Sequence, residues 1–205
     1  MKYLVSLLYL FLFAGIAQSQ SLLLEKDQNS FTFEVGFAGG HNFSSLGLGI
    51  GATYQSTLDV GAAVSRAFHK FDNYWVLGQA ASVKILSETS ADNITSSLSL
   101  NQGFSFAHGI KILSLGGAFS LRSKLSRKSS VLFSLGYNRI MSLSPDNEGF
   151  NSMTISLTLA LGDGKSLFQL TPFATLAADN RSVYGLSLGN SSIVTSREQD
   201  TFTIK

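Results

Sequence analysis

The stretch MTISLTLALG, residues 153–162, alternates without interruption: Met153, Ile155, Leu157, Leu159 and Leu161 share one face, and Thr154, Ser156, Thr158, Ala160 and Gly162 share the other. A period of two is the signature of an extended strand with one apolar side. If that side meets a protein core, this is a half-buried strand of a soluble sandwich or barrel. If it meets lipid, the whole chain is a membrane protein. Taken alone, the stretch fits either solvent.

The rest of the chain repeats the pattern. Beyond the first twenty residues no segment keeps a helical i, i+3, i+4, i+7 rhythm, whereas alternation recurs throughout. Ten strands are expected, at 30–39, 45–55, 57–67, 74–86, 95–108, 111–122, 130–142, 150–161, 166–177 and 181–189, separated by clusters of Gly, Asn, Asp and Ser. Many exceed the roughly five or six residues of an ordinary globular strand and match the roughly 9–11 that cross a bilayer at a tilt. Pro172 falls inside the ninth and predicts a bulge or a local break there.

Face composition points toward lipid. One parity carries Phe31, Phe33, Val35 and Phe37, then Leu98, Leu100, Phe104 and Phe106, then Val131, Phe133, Leu135 and Tyr137; the other carries mostly Gly, Ser, Ala, Thr and Asn. A water-soluble sandwich places charged and long polar side chains opposite its core face. Here the non-apolar face is small, and charged residues make up only 14% of the chain, against about 25% in ordinary soluble domains. Apolar outward with small or polar inward is the transmembrane barrel pattern, and hydrocarbon forces such a sheet to close so that every backbone group is paired. Tyr54, Tyr74, Trp75, Tyr137 and Tyr184 fall near strand ends and are candidates for interfacial girdles.

The chain opens MKYLVSLLYLFLFAGIAQSQS, one cation followed by an apolar run from Tyr3 to Ala17 and then small polar residues. This is the layout of a cleaved export signal, with cleavage after Ala17 or Ser19 and no cysteine to carry a lipid anchor. The expected organisation is a signal peptide at 1–19 and a single domain at 20–205. With Lys2 removed, the 15 Lys and Arg fall to 14 against 13 Asp and Glu. That balance, without a basic stripe, argues against nucleic acid. The absence of cysteine fits a bacterial envelope protein better than a disulfide-stapled ectodomain.

On these residues, and on pieces such as LGLGIGATY (46–54), LSLGGAFSL (113–121), LFSLGY (132–137) and YGLSLG (184–189), the chain resembles the small outer-membrane β-barrels of Gram-negative bacteria, the porin family and the OmpA- and OmpX-like barrels. Its QSQ processing region and Ser- and Asn-rich turns resemble Bacteroidota exports. The resemblance implies an all-β, closed, antiparallel up-and-down transmembrane barrel of about ten strands, with eight or twelve as alternatives. It also implies the cell outer membrane as location, a periplasmic N-terminus, and as partners outer-membrane lipid, lipopolysaccharide and the outer-membrane insertion machinery. One departure stands out: such barrels commonly close on a terminal aromatic, but this chain ends REQDTFTIK, so residues 190–205 are either a tail or a closing strand.

Candidate chemistry is sparse. Glu34, Asp59, Lys84 and Arg122 lie on the inward parity, and the resemblance implies an interior polar network among them; rim positions in water are the alternative. Arg66 and Arg139 lie on the apolar parity and are expected near strand ends, since mid-membrane each would cost roughly 2–4 kcal/mol. His41, His69 and His108 show no metal-ligand spacing. GLSLG at 185–189 matches the GxSxG string around Ser187 but lacks the strand-to-helix turn of a nucleophile elbow. No cofactor, metal or catalytic residue is assigned. The expectation is a non-enzyme with a structural, adhesive or narrow-pore role. The alternatives are a soluble exported barrel holding an apolar ligand, with its small-residue face outward, and a membrane-embedded lipid-modifying enzyme.

Overall fold

A computed structural model describes residues 20–25, 27–41, 43–69, 73–90, 93–107, 109–143, 149–177 and 182–195. The export segment 1–19, His108 and residues 196–205 lie outside them, so the expectations for those positions do too.

A short helix, α1 (Gln20–Leu23), precedes ten strands: β1 (Gln28–Gly40), β2 (Phe43–Tyr54), β3 (Leu58–His69), β4 (Asn73–Thr89), β5 (Ile94–Ala107), β6 (Ile110–Ser126), β7 (Ser129–Ser142), β8 (Phe150–Gly162), β9 (Ser166–Ala177) and β10 (Ser182–Thr195). Each strand pairs antiparallel with its sequence neighbours, and β1 pairs with β10 from Gln28↔Thr195 to Gly40↔Val183. The sheet is therefore a closed up-and-down barrel with no free edge. Residues 190–195 continue β10, so the first part of the 190–205 segment belongs to the wall.

Closure fixes which parity faces which solvent. Leu157 is 50% exposed on the outer wall while its neighbour Thr158 is fully buried inside. The same division runs around the barrel, with Phe31, Leu48, Leu100 and Leu188 outside and Thr32, Ser99 and Ser187 inside. This overturns the soluble alternative, which needs the small-residue face outward. The physical reason is size: a ten-stranded lumen is narrow enough that the small parity fills it and the large apolar parity is left outside.

Two turns at the rim where β1 begins and β10 ends are tight. Gln55 and Ser56 both adopt positive φ (48° and 49°), the geometry that lets a two-residue hairpin follow the strand twist. The Asn29 carboxamide accepts the Gln55 N–H at 2.7 Å and holds that turn. Between β8 and β9, Asp163 Oδ1 accepts the N–H groups of Lys165 and Ser166, both at 3.0 Å, and Gly164 takes φ 90°. Pro172 produces no bulge. Strand β9 runs through it, and β8–β9 keeps one register on either side (Ser156↔Phe173, Leu159↔Leu170), so the disturbance is a local gap in that ladder. Bulges occur instead at Lys84/Leu86 and Lys124/Ser126.

Candidate functional site: the lumen and its two ends

The rim where β1 begins and β10 ends is the terminal rim and the other the opposite rim. Inward-facing side chains divide the lumen into three zones.

At the opposite rim the inward residues are apolar. Tyr74, Val76, Ala107, Ile110, Ile112 and Ile140 form one cluster, and Ala38, Phe173 and Val183 another, with Phe150 packed against both. Ile112, Ile140 and Val183 are at most 1% exposed. Tyr74 thus faces inward and is no part of an outer girdle; alternation allows only one of the adjacent Tyr74 and Trp75 to face outward, and Trp75 does so at 59% exposure. Tyr54, Tyr137 and Tyr184 also face outward. The two outward arginines lie at this rim. Arg66 stacks over the Trp75 ring at 5.2 Å, and Arg139 donates to the Asn151 carboxamide oxygen at 3.2 Å.

The middle zone is hydroxyl-lined. Thr158 and Thr171 pair at 2.9 Å, Thr154 and Thr175 at 3.0 Å, and Ser120 and Ser134 at 2.8 Å across neighbouring strands. Ser134, Thr154 and Ser156 face inward yet keep partial exposure, so accessible space remains between the walls. Glu34 belongs to this zone and accepts a hydrogen bond from Ser187 Oγ. Ser187 sits within a strand, as the plain-strand reading of GLSLG requires.

At the terminal rim the chain folds back into its own barrel. Leu22, Leu23 and Leu24 are 3–5% exposed, and Leu22 and Leu23 pack with Leu132 and Ala160 of the wall. Burying each leucine contributes roughly 1.5–3 kcal/mol. A single helical turn leaves its terminal N–H and C=O groups unpaired, and wall charges satisfy them. Asp59 accepts the Ser21 N–H at 3.2 Å and the Thr53 hydroxyl at 2.7 Å. Lys84 Nζ donates to the Ser21 carbonyl at 3.3 Å, and Arg122 Nη1 to the Leu22 carbonyl at 3.0 Å. Arg122 Nε also donates to Ser130 Oγ at 3.4 Å. Outside these, Lys124 Nζ and Glu25 Oε1 form an ion pair at 2.6 Å, and the lysine holds the Glu25 carboxyl below the usual carboxylate range. A cavity of about 530 Å³ opens beside the segment, bordered by Glu25, Lys84, Arg122 and Lys124.

Of the four inward charges singled out in the sequence, the structure brings Asp59, Lys84 and Arg122 onto one peptide segment and leaves Glu34 on β1 with Ser187. Sequence reasoning missed the segment itself. Its signal was the apolar SLLL at 21–24, set directly against the polar QSQ and followed by Glu25 and Lys26. His41 lies in the β1–β2 turn and His69 ends β3. Among the described residues, no three His, Asp or Glu side chains gather as metal ligands would.

No protein-family model matches the chain, and no curated protein sequence does. Solved structures similar to it are outer-membrane β-barrels. An outer-membrane channel from Pseudomonas putida F1 is 10% identical, over 83% of this chain and 97% of that one, with a TM-score of 0.49. LpxR from Salmonella typhimurium is 7% identical, over 80% and 99%, with a TM-score of 0.45. The outer-membrane enzyme PagL is 10% identical, over 80% and 98%, with a TM-score of 0.44. At these identities the likeness concerns architecture alone. It nevertheless corrects the expectation of a non-enzyme: an enzyme stands among the similar barrels, so neither this architecture nor the lack of a motif excludes catalysis. The chain itself is a closed, antiparallel, up-and-down β-barrel of ten strands.

Proposed function

We propose that the chain is an integral outer-membrane barrel with a structural or adhesive role, whose resting lumen is closed so that it is no open diffusion pore. The observation that carries this is the pairing of an outward apolar belt around the barrel with a lumen occluded at both ends. Large side chains such as Phe37, Leu48, Leu77, Phe119 and Leu186 are about half exposed on the outer wall, which in water would be an aggregation surface and in lipid is the solvated face. Outer-membrane lipid and lipopolysaccharide are its surroundings, and the insertion machinery its partner during assembly. Fractionation tests the reading. The protein should stay with outer membranes through carbonate washing and show heat-modifiable gel mobility, and the refolded barrel in a planar bilayer should give no steady conductance. Release by carbonate overturns it.

A second reading, a narrow gated passage, is favoured by one observation: the terminal rim is closed by a separate segment and not by the wall. Deleting residues 21–25 removes only that closure, so a gated passage requires ion current from this deletion combined with Ile112→Ala/Ile140→Ala, which opens the apolar cluster at the opposite rim, and none from the intact barrel.

A further inference from the structure

The outer belt has an interruption that the lumen does not explain. Gln79 on β4 and Gln102 on β5 both point outward and are exposed. Gln79 stands opposite Phe104 and Gln102 opposite Ala81, so the two amides are diagonal neighbours on the outer wall. Along its strand each is flanked by outward apolar residues in both directions, Leu77 and Val83 around Gln79, Leu100 and Phe106 around Gln102. Both amides therefore lie within hydrocarbon depth, where no water completes their hydrogen bonds. Neither has a hydrogen-bond partner among the described residues. The wall is also indented there, by a dent of about 640 Å³ bordered by Ala62, Leu77, Gly78, Gln79, Phe104 and Phe106.

We propose that this notch is the face through which two copies of the chain pair side by side in the membrane. An acyl chain fills a dent but offers an amide nothing. A second copy inserted in the same direction brings its own Gln79 and Gln102 to the same depth about a two-fold axis along the membrane normal. A carboxamide is both donor and acceptor, so it pairs with its own kind. Ala62 and Ala81 are small enough for the walls to approach, as small residues do at contacts within lipid. The two dents then face each other across the axis, Phe104 and Phe106 of one copy against the lining of the other, a self-complementary contact that closes at two.

The pairing rests on the membrane-spanning reading, which carbonate washing and heat-modifiability decide separately. The chain has no cysteine, so single substitutions give a clean background. Under oxidation in native membranes, Ala62→Cys or Ala81→Cys should yield a disulfide-linked dimer, and Leu157→Cys on the β8 face should not. In detergent sedimentation the double variant Gln79→Leu/Gln102→Leu should raise the dimer dissociation constant about tenfold. Leucine suits a lipid-facing position, so this variant keeps its heat-modifiable mobility. The proposal is overturned if both notch cysteines cross-link no more than Leu157→Cys. Undiminished dimer in the double leucine variant, or a monomeric barrel carrying a bound lipid in the notch, overturns it as well.

Discussion

The two ends of the lumen are built from the same ten strands by opposite means. At the opposite rim the wall closes on itself, with Ile110, Ile112 and Ile140 in one buried apolar cluster, Phe173 and Val183 in another, and Phe150 packed against both. At the terminal rim the inward positions hold Asp59, Lys84 and Arg122, charges that cannot close a gap by themselves. They are completed by peptide groups of Ser21 and Leu22. One closure is part of the barrel and can open only by deforming it. The other is a ligand on a tether and can leave while the barrel stays intact. Every variant below tests whether the two ends fail in those different ways.

The largest effect is expected at the dry end. Ile140 is fully buried among apolar neighbours, and Ile140→Asp puts a carboxyl there with no cation in the cluster to meet it. The cost should exceed about 3 kcal/mol. Urea unfolding in detergent, followed by the fluorescence of the single tryptophan, Trp75, measures it. A barrel that unfolds as readily as wild type would mean that this end is wet.

At the wet end, Arg122→Met removes the charge-assisted bond to the Leu22 carbonyl, a loss of about 1.5–3 kcal/mol. The loss should fall on the segment and spare the barrel. Hydrogen exchange of residues 21–25 should accelerate about tenfold or more, while the urea midpoint moves little. Equal shifts in both would make the segment an integral part of the barrel core.

Two glycines separate wall packing from open lumen. A methyl group on Gly185 would run into the Phe173 ring and come within 2.6 Å of the Phe37 carbonyl, whereas one on Gly49 would meet Ala63 and Glu34 at an ordinary 3.7 Å. Gly185→Ala should cost about 1–2 kcal/mol and Gly49→Ala less than about 0.5 kcal/mol. The same unfolding assay reads both, and a reversed order would mean that the opposite rim is loosely packed.

How much of this was legible in the sequence follows from what alternation encodes. Parity states which side of a strand a residue occupies, so the ten strands, the outward Leu157 and Phe133, and the inward Asp59, Lys84 and Arg122 all followed from a period of two. Parity carries no information about height. Which inward charges meet depends on register around the barrel, and register left Glu34 beside Ser187, away from the three at the terminal rim. The plug was hidden for a different reason. Leu22–Leu24 has no period, and in sequence it reads as the trailing edge of an export signal. The end of β10 was obscured because NSSIVT (190–195) is mostly polar, although it pairs fully with β1.

The smallest expected effect is a pH dependence confined to the tethered closure. Lys124 Nζ donates to the Glu25 carboxylate and lowers its pKa; on leaving the barrel the carboxyl returns to its ordinary value, near 4.5. A group whose pKa is lowered on docking contributes fully above that ordinary value, and its contribution is lost as pH falls through the lowered one. The Glu25 side chain is 62% exposed and that of Lys124 38%, so solvent screening limits the pair to a few tenths of a kcal/mol. With Asp59→Asn removing the other carboxylate that holds the segment, a nitroxide attached through Gln20→Cys should therefore report an immobile fraction that is constant from pH 8 to about pH 5 and declines below about pH 4. In the Glu25→Gln background the same label should start slightly more mobile and lose that decline. The opposite rim has no described counterpart to this pair, so unfolding of an Ile140→Val barrel should shift by the same amount at pH 8 and pH 5. If the Gln20 label instead loosens as pH rises from 5 to 8, the Lys124–Glu25 pair is not what holds the mouth of the segment.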